Sequence, residues 1–171
     1  MKFNKKFGIL FWITGLSGSG KTTIAKKIKK KITKLYGPTI LVSGDNIRKI
    51  MRLNEFTKTK RLDYGKKFSE LSKLITNQKI NVIFATVSML NKVRFLNKKN
   101  IKNYVEIYIK SDVQKIIERG KKRIYFKRRK NIVGLDIKPE LPKKPHIVIN
   151  NNFNRDVDTL SDELVKKIKR L

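Results

Sequence analysis

The chain alternates short apolar runs with longer segments whose apolar residues recur at helical spacing. The apolar runs predict five strands, at residues 8–14, 39–42, 80–87, 105–109 and 146–149. The helical spacing predicts helices at residues 22–36, 63–76, 111–119 and 157–171. Strands that alternate with helices predict an α/β fold with a parallel sheet between two helical layers. Ligands of such sheets bind at the carboxyl ends of strands, so we expect the chemistry after Thr14, Val42 and Val87 and in the segment that follows Arg119.

A glycine-rich stretch joins the first predicted strand to the first predicted helix. Its pattern, Gly15-x-x-x-x-Gly20-Lys21-Thr22, matches the phosphate-binding P-loop in the context that this loop requires. Glycines let the backbone approach phosphate closely, and a helix N-terminus adds partial positive charge. We expect the phosphates of ATP to be bound by Gly15, Ser17, Gly18, Ser19, Gly20, Lys21, Thr22 and Thr23. Lys21 is expected at the β- and γ-phosphates, and the Thr22 hydroxyl at Mg²⁺.

The length and the amino-acid usage limit the class of protein. A chain of 171 residues suits one domain, residues 1–171. The absence of cysteine from the sequence excludes disulfides, thiolate metal sites and a cysteine nucleophile. The basic and then apolar start of the chain imitates a signal peptide, but it passes into the glycine-rich stretch without a cleavage site. We therefore expect a cytoplasmic protein without a membrane segment.

The chain is strongly basic, with a formal net charge of +30. Such a charge makes a P-loop ATPase that binds nucleic acid an alternative function. The basic residues are mostly lysines spread along the chain, without the interleaved aromatic residues of RNA-binding modules. We therefore expect an anionic small molecule as the partner and no specific nucleic acid. The densest basic run, at residues 119–130, is expected to form a lid; a solvated loop and a nucleic-acid patch are its alternatives.

The second predicted strand ends in the sequence SGDNIR, which contains Asp45 and Arg48. In this position Asp45 would orient an acceptor hydroxyl and take its proton late in the transfer. Arg48 would bind an anionic group of the acceptor, because a guanidinium matches the oxygens of phosphate-like groups. An ordinary turn with an N-cap is the alternative, since Asp and Asn favour both. The neighbouring phosphate loop favours the functional interpretation.

Together, GLSGSGKTT and SGDNIR make the chain similar to the adenylyl-sulfate kinases. The likeness continues through Phe56–Thr57 with Arg61, Val87–Ser88, residues 120–125, residues 131–136 and the later prolines. The resemblance implies a three-layer α/β/α P-loop kinase with a five-stranded parallel sheet. It implies transfer of the γ-phosphoryl group of MgATP to the ribose 3′-hydroxyl of a small nucleotide, by a homodimer. It also implies a lid at about 119–136, with Lys122 near the phosphates; Arg119 and Lys121 are the alternatives for this contact.

The same resemblance implies roles for single residues on the acceptor side. Asp45 matches the family's acidic residue that faces the acceptor hydroxyl. Arg48 and Arg61 match the arginines that bind the anionic group at the 5′ position of the acceptor. Phe56 matches an aromatic residue that stacks on the acceptor base, and Ser88 matches a serine near the site.

The departures from the family pattern also lie on the acceptor side. They are Ser43, Lys60, Tyr64, Met89–Asn91 and Ile132. Ile132 replaces the second aromatic residue around the base, and losing one stacking partner, worth roughly 1–3 kcal/mol, weakens purine binding. In these features the chain resembles the members of the family in bacterial capsule biosynthesis, which phosphorylate cytidine diphosphoramidate. We expect this acceptor; adenylyl sulfate in sulfate assimilation is the alternative.

Three further expectations concern single polar residues. The pair Ser111-x-x-Gln114 predicts a capping box at a helix start. His146, the only histidine in the sequence, is expected to be structural, and Glu106 is expected to pair with lysine. No group of His, Asp or Glu has metal-site spacing, so we expect the only metal to arrive with ATP.

Overall fold

A computed structural model describes residues 1–120 and 130–171 and contains a five-stranded sheet. The strands are β1 (Ile9–Thr14), β2 (Thr39–Ser43), β3 (Asn81–Ala85), β4 (Asn103–Lys110) and β5 (Ile147–Asn150). Their order is β2-β3-β1-β4-β5, and each neighbouring pair is parallel. The five predicted strands are confirmed. The third is shorter than predicted, because the chain leaves the sheet after Ala85.

Helices connect the strands. They are α1 (Lys21–Tyr36), α2 (Gly44–Ile50), α3 (Lys58–Thr76), α4 (Asn91–Asn100), α5 (Val113–Glu118) and α6 (Val157–Lys169). The four predicted helices are present, whereas α2 and α4 were not predicted as helices. In α4 the buried residues are Val93, Arg94 and Asn97, so two of the three inward positions are polar. This composition hides the apolar periodicity by which a helix is recognised.

The helices form two layers, one on each face of the sheet. In β1, Phe11 and Ile13 belong to the core shared with α1 and α6. Leu10 and Trp12 point to the opposite face and pack in the core shared with α3 and α4. All four side chains are fully buried, and each contributes about 1.5–3 kcal/mol through removal from water. The predicted three-layer α/β/α architecture is confirmed.

Two predictions about polar residues are wrong. Asp112, not Ser111, is the N-cap of α5, and its side chain accepts the Gln114 backbone N–H at 2.7 Å. The helix begins one residue later than the predicted capping box, which shifts the capping position. Glu106 pairs with Arg94 rather than a lysine: its Oε1 lies 3.2 Å from Arg94 Nε, and both side chains are largely buried.

His146 lies at the start of β5 beside this pair. Its Nδ1 accepts the Glu106 backbone N–H at 2.9 Å, a contact consistent with the expected structural role. Over the described ranges, no helix is both long enough and apolar enough to cross a lipid bilayer.

Candidate active site

The glycine-rich loop lies between the carboxyl end of β1 and the start of α1. Gly15 has φ 152°, and a Cβ there would lie 2.5 Å from the Ile109 carbonyl oxygen, so the loop can approach β4 only with glycine. Gly20 is the N-cap of α1, with φ 88°, and has no side chain to cap the first turn. The first-turn N–H groups of this 16-residue helix are therefore available to an anionic ligand.

The ammonium group of Lys21 lies against the same loop. Its Nζ donates to the Leu16 carbonyl at 2.5 Å and lies 3.4 Å from Ser19 Oγ. The side chain is buried, with 6% of its residue surface exposed. These contacts hold a positive charge beside the bare amides of the loop, the arrangement that phosphate groups require.

We call the space in front of this loop the phosphate cavity; its volume is about 390 Å³. It is lined by Ser17, Gly18, Gly20, Lys21, Thr22, Thr23, Asp45, Ala85, Thr86, Val87 and Arg119. Six of the eight residues predicted to bind the ATP phosphates line it, and Gly15 and Ser19 do not. Arg119 is the lining cation from the predicted lid, and its guanidinium lies 4.5 Å from the centre of the Phe153 ring. Lys122 lies outside the described residues.

A second cavity adjoins the phosphate cavity and shares Thr86 and Val87 with it. We call it the arginine cavity; its other lining residues are Arg48, Lys58, Arg61, Tyr64, Gly65, Phe68, Ser88, Met89, Leu90, Val133 and Ile137. Among these described residues three are cationic and none is acidic. The volume of this cavity is about 30 Å³, so it has room for a small anionic group between its cations but not for a whole nucleotide.

Helix α2 connects the two cavities. Asp45 lines the phosphate cavity and Arg48 lines the arginine cavity, and their side chains form an ion pair across one helical turn. The Asp45 side chain is 62% exposed, whereas that of Arg48 is 17% exposed. The structure thus brings the carboxylate predicted for the acceptor hydroxyl to the boundary between the two spaces.

Phe56 contacts Arg61, which lines the arginine cavity, but Phe56 itself lines neither cavity. Arg61 Nε donates to the Phe56 carbonyl at 2.8 Å, and Nη2 donates to the Asn131 carbonyl at 2.9 Å. The guanidinium carbons of Arg61 and Arg48 lie 5.4 Å and 5.9 Å from the centre of the Phe56 ring. Burial, and then the nearby charge of Arg48, lower the pKa of Arg61. An anion bound between the two arginines would relieve this repulsion.

The remaining predicted acceptor residues divide into two groups. Ser88 lines the arginine cavity, and its buried Oγ has no hydrogen-bond partner within the described residues. Ile132 is buried but lines neither cavity, and its backbone N–H donates to Asp136 Oδ2 at 2.9 Å. Of the positions that depart from the family pattern, Tyr64, Met89 and Leu90 line the arginine cavity, whereas Ser43 lines neither.

Asn151 holds the phosphate loop by a hydrogen bond, a role that was not predicted from the sequence. Asn151 is buried after β5, and its Nδ2 donates to the Ser19 carbonyl at 3.0 Å. Its backbone N–H donates to the Lys110 carbonyl at 2.8 Å. The available signal was its place at the carboxyl end of a parallel strand, where polar residues approach the ligand edge of the sheet.

A phosphate loop at the end of β1, with a carboxylate and two arginines beside it, defines a P-loop kinase. The family model described as adenylylsulphate kinase matches residues 7–150, and the chain belongs to this family. The protein is therefore a nucleotide kinase that uses ATP and acts on a 3′-hydroxyl group.

Two relatives show what the chain is similar to in sequence. It is 34% identical over 163 residues to the cytidine diphosphoramidate kinase of Campylobacter jejuni, covering 93% of this chain and 95% of that protein. It is 35% identical over 153 residues to the adenylyl-sulfate kinase of Clostridium kluyveri, covering 86% of this chain and 77% of that protein. The names of these two relatives state different acceptors, although their sequence identities to this chain are nearly the same.

The fold has a similar solved structure. The adenylylsulphate kinase CysC of Mycobacterium tuberculosis, in complex with AMPPNP and APS, superposes with a TM-score of 0.85. It is 24% identical, and the match covers 95% of this chain and 98% of that one. This likeness confirms the predicted P-loop kinase fold.

Proposed function

We propose that the protein transfers the γ-phosphoryl group of ATP to the ribose 3′-hydroxyl of cytidine diphosphoramidate, in capsule biosynthesis. The observation that carries this choice of acceptor is the position of the departures from the adenylyl-sulfate kinase pattern. Three of the seven departing positions, Tyr64, Met89 and Leu90, line the arginine cavity, whereas the glycine-rich loop retains the pattern. The other four line neither cavity; they are Ser43, Lys60, Asn91 and Ile132. Because the arginine cavity departs from the adenylyl-sulfate kinase pattern whereas the glycine-rich loop does not, we infer that the acceptor differs and the nucleotide donor does not. The near-full-length similarity to a cytidine diphosphoramidate kinase supports the same choice.

The phosphate cavity would hold ATP as its magnesium complex. The amides of Gly18 to Lys21 would donate to phosphate oxygens, and the Lys21 ammonium would contact the transferred group. The Thr22 hydroxyl lines the cavity and would be the protein's ligand to the metal, which when bound offsets charge on the phosphates. Within the described ranges no three His, Asp or Glu residues form a group that could hold a metal ion.

The arginine cavity would hold the anionic tail of the acceptor, bound by Arg48 and Arg61. Phe56, which contacts Arg61 but lines neither cavity, would contact the acceptor base outside it. Asp45 would orient the 3′-hydroxyl in line with the γ-phosphoryl group and accept its proton. In a loose transition state this carboxylate acts mainly through positioning.

Adenylyl sulfate is the second candidate acceptor. The retained Arg48, Phe56 and Arg61 suit adenylyl sulfate as well as cytidine diphosphoramidate, because both acceptors have a 5′ tail with two anionic groups. The similarity to an adenylyl-sulfate kinase at 35% identity supports this candidate. The acceptor base therefore distinguishes the two candidates.

The first test is ADP release from MgATP against four acceptors in separate reactions. These are cytidine diphosphoramidate, CDP, adenylyl sulfate and single-stranded DNA. We expect turnover with the cytidine compounds and little hydrolysis without an acceptor. Turnover with adenylyl sulfate alone would overturn the cytidine assignment. ATP hydrolysis stimulated by DNA would instead support a nucleic-acid-dependent ATPase.

The proposal extends to the features that the family resemblance implies for the whole chain. These are one domain at 1–171, a lid at about 119–136 with Lys122 near the phosphates, a cytoplasmic location and a homodimer. Sedimentation velocity tests the homodimer directly, since a dimer of 20.0 kDa chains sediments well ahead of a monomer.

A further inference from the structure

We propose that Glu140 is a positioning residue that holds the walls of the arginine cavity in place for the acceptor. This inference rests on the proposed assignment of that cavity to the acceptor. Glu140 does not itself line the cavity, but it contacts lining residues of two segments, Lys58 at the start of α3 and Met89 in the loop before α4. Its carboxylate, its N–H and its carbonyl each have a partner.

The carboxylate of Glu140 caps helix α4 from a distance of 49 positions along the chain. The N-cap residue of α4 is Leu90, which has no side-chain oxygen with which to cap the helix. Glu140 Oε2 takes this place and accepts the Asn91 backbone N–H at 2.7 Å. A negative charge is also favourable at a helix N-terminus. Because Leu90 lines the arginine cavity, fixing the first turn of α4 fixes that wall.

The other carboxylate oxygen holds Lys58, the first residue of α3. Glu140 Oε1 lies 3.0 Å from Lys58 Nζ, and Lys58 lines the arginine cavity beside Arg61. The Asn91 N–H and Lys58 together lower the pKa of Glu140, so the carboxylate is ionised at neutral pH. Its charge offsets one of the three cations of the cavity and keeps the Lys58 side chain at the rim.

The backbone of Glu140 makes two further hydrogen bonds, to the loop after β3 and to α4. Its N–H donates to the Met89 carbonyl at 3.1 Å, and its carbonyl accepts from Arg94 Nη2 at 2.5 Å. The preceding segment supplies Val133 and Ile137 to the cavity. Glu140 therefore joins the segment that supplies Val133 and Ile137 to the loop after β3, which supplies Met89 and Leu90.

The test measures KM for both substrates in Glu140→Gln, Glu140→Ala and a matched control. The control is Asp158→Asn, since Asp158 also lies in the first turn of a helix and pairs with a lysine, Lys27, at 2.8 Å. Asp158 lines neither cavity. We expect Glu140→Ala to raise the acceptor KM about fivefold or more and to leave the ATP KM within about twofold. The control is expected to leave both unchanged.

A double-mutant cycle separates the pairing with Lys58 from general packing. Glu140→Gln retains an oxygen for the Asn91 N–H but loses the charge that holds Lys58. Its effect on the acceptor KM is expected to disappear in a Lys58→Gln background. An unchanged acceptor KM in Glu140→Gln, or an equal rise of both KM values, would overturn the proposal. The assay uses whichever of the two nucleotides the native protein phosphorylates, so failure of the cytidine assignment leaves this comparison intact.

Discussion

Asp45 and Arg48 form an ion pair across one turn of α2, although each side chain lines a different cavity. Such a partly exposed pair contributes little stability, typically about 0–1 kcal/mol. An anionic tail that enters the arginine cavity therefore competes for Arg48 at low cost. In the proposed function, binding of that tail by Arg48 would free the Asp45 carboxylate to face the acceptor hydroxyl.

The Asp45→Asn variant tests the role of this carboxylate. We expect kcat to fall about 100-fold, because the amide orients the hydroxyl poorly and accepts no proton. The KM for ATP should stay within about twofold, since Asp45 is not part of the phosphate loop. Steady-state kinetics at saturating acceptor measures both quantities. Asp63→Asn is the control: this half-exposed aspartate pairs with Lys67 on α3 and lines neither cavity. A kcat near the native value in Asp45→Asn would remove Asp45 from the mechanism.

The Lys21→Ala variant tests the phosphate cavity. We expect the loss of most activity, about 100-fold or more in kcat/KM for ATP, because a buried cation next to the transferred group is removed. Lys26→Ala is the matched control, as Lys26 is an exposed residue of the same helix. Isothermal calorimetry with a non-hydrolysable ATP analogue checks whether binding weakens as well. Native activity in Lys21→Ala would show that ATP is bound elsewhere.

Gly15→Ala and Gly37→Ala compare two glycines with positive φ. A Cβ at Gly37 has no neighbour within 4 Å, so Gly37→Ala should cost only the conformational strain of its backbone at φ 91° and ψ −161°, about 1–3 kcal/mol. At Gly15 the Cβ would in addition meet the Ile109 carbonyl oxygen at 2.5 Å. We therefore expect a larger loss of stability in Gly15→Ala, together with weaker ATP binding. Denaturant unfolding of both variants measures the difference; equal losses would contradict the close approach to β4.

His146 makes stability depend on pH in a defined direction. Burial, with a smaller effect of Lys98, lowers the pKa of His146 below its ordinary 6.5, and Nδ1 must be unprotonated to accept the Glu106 N–H. The unfolded chain therefore binds this proton more readily. The stabilisation is complete above the unfolded pKa and is lost as the pH falls through the lowered folded pKa.

The only histidine of the chain can be titrated directly by proton NMR. We expect a pKa below 6.5 in the folded protein. We also expect the free energy of unfolding to fall as the pH is lowered below about 6.5, and to fall less in His146→Gln. An unshifted pKa for the folded protein, or an equal fall in the variant, would contradict this account.

The sequence predicted the features whose signals are local. The P-loop lies within eight consecutive residues, and SGDNIR places Asp45 and Arg48 at a strand end beside it. Other features depend on partners far along the chain and left no local pattern. Asn151 reaches Ser19 across 132 positions, and Glu140 caps α4 across 49. Ile132 shows the reverse case: its position in a familiar motif suggested a place at the acceptor base, but its side chain lines neither cavity.

The central claim is that this kinase selects a cytidine acceptor over an adenine one. The most direct measurement places cytidine diphosphoramidate and adenylyl sulfate at equal concentration in one reaction with limiting ATP. Mass spectrometry then quantifies the two 3′-phosphorylated products, whose ratio equals the ratio of kcat/KM values. We expect the cytidine product in about tenfold excess or more. An equal yield, or an excess of 3′-phosphoadenylyl sulfate, would contradict the account and assign the arginine cavity to adenylyl sulfate.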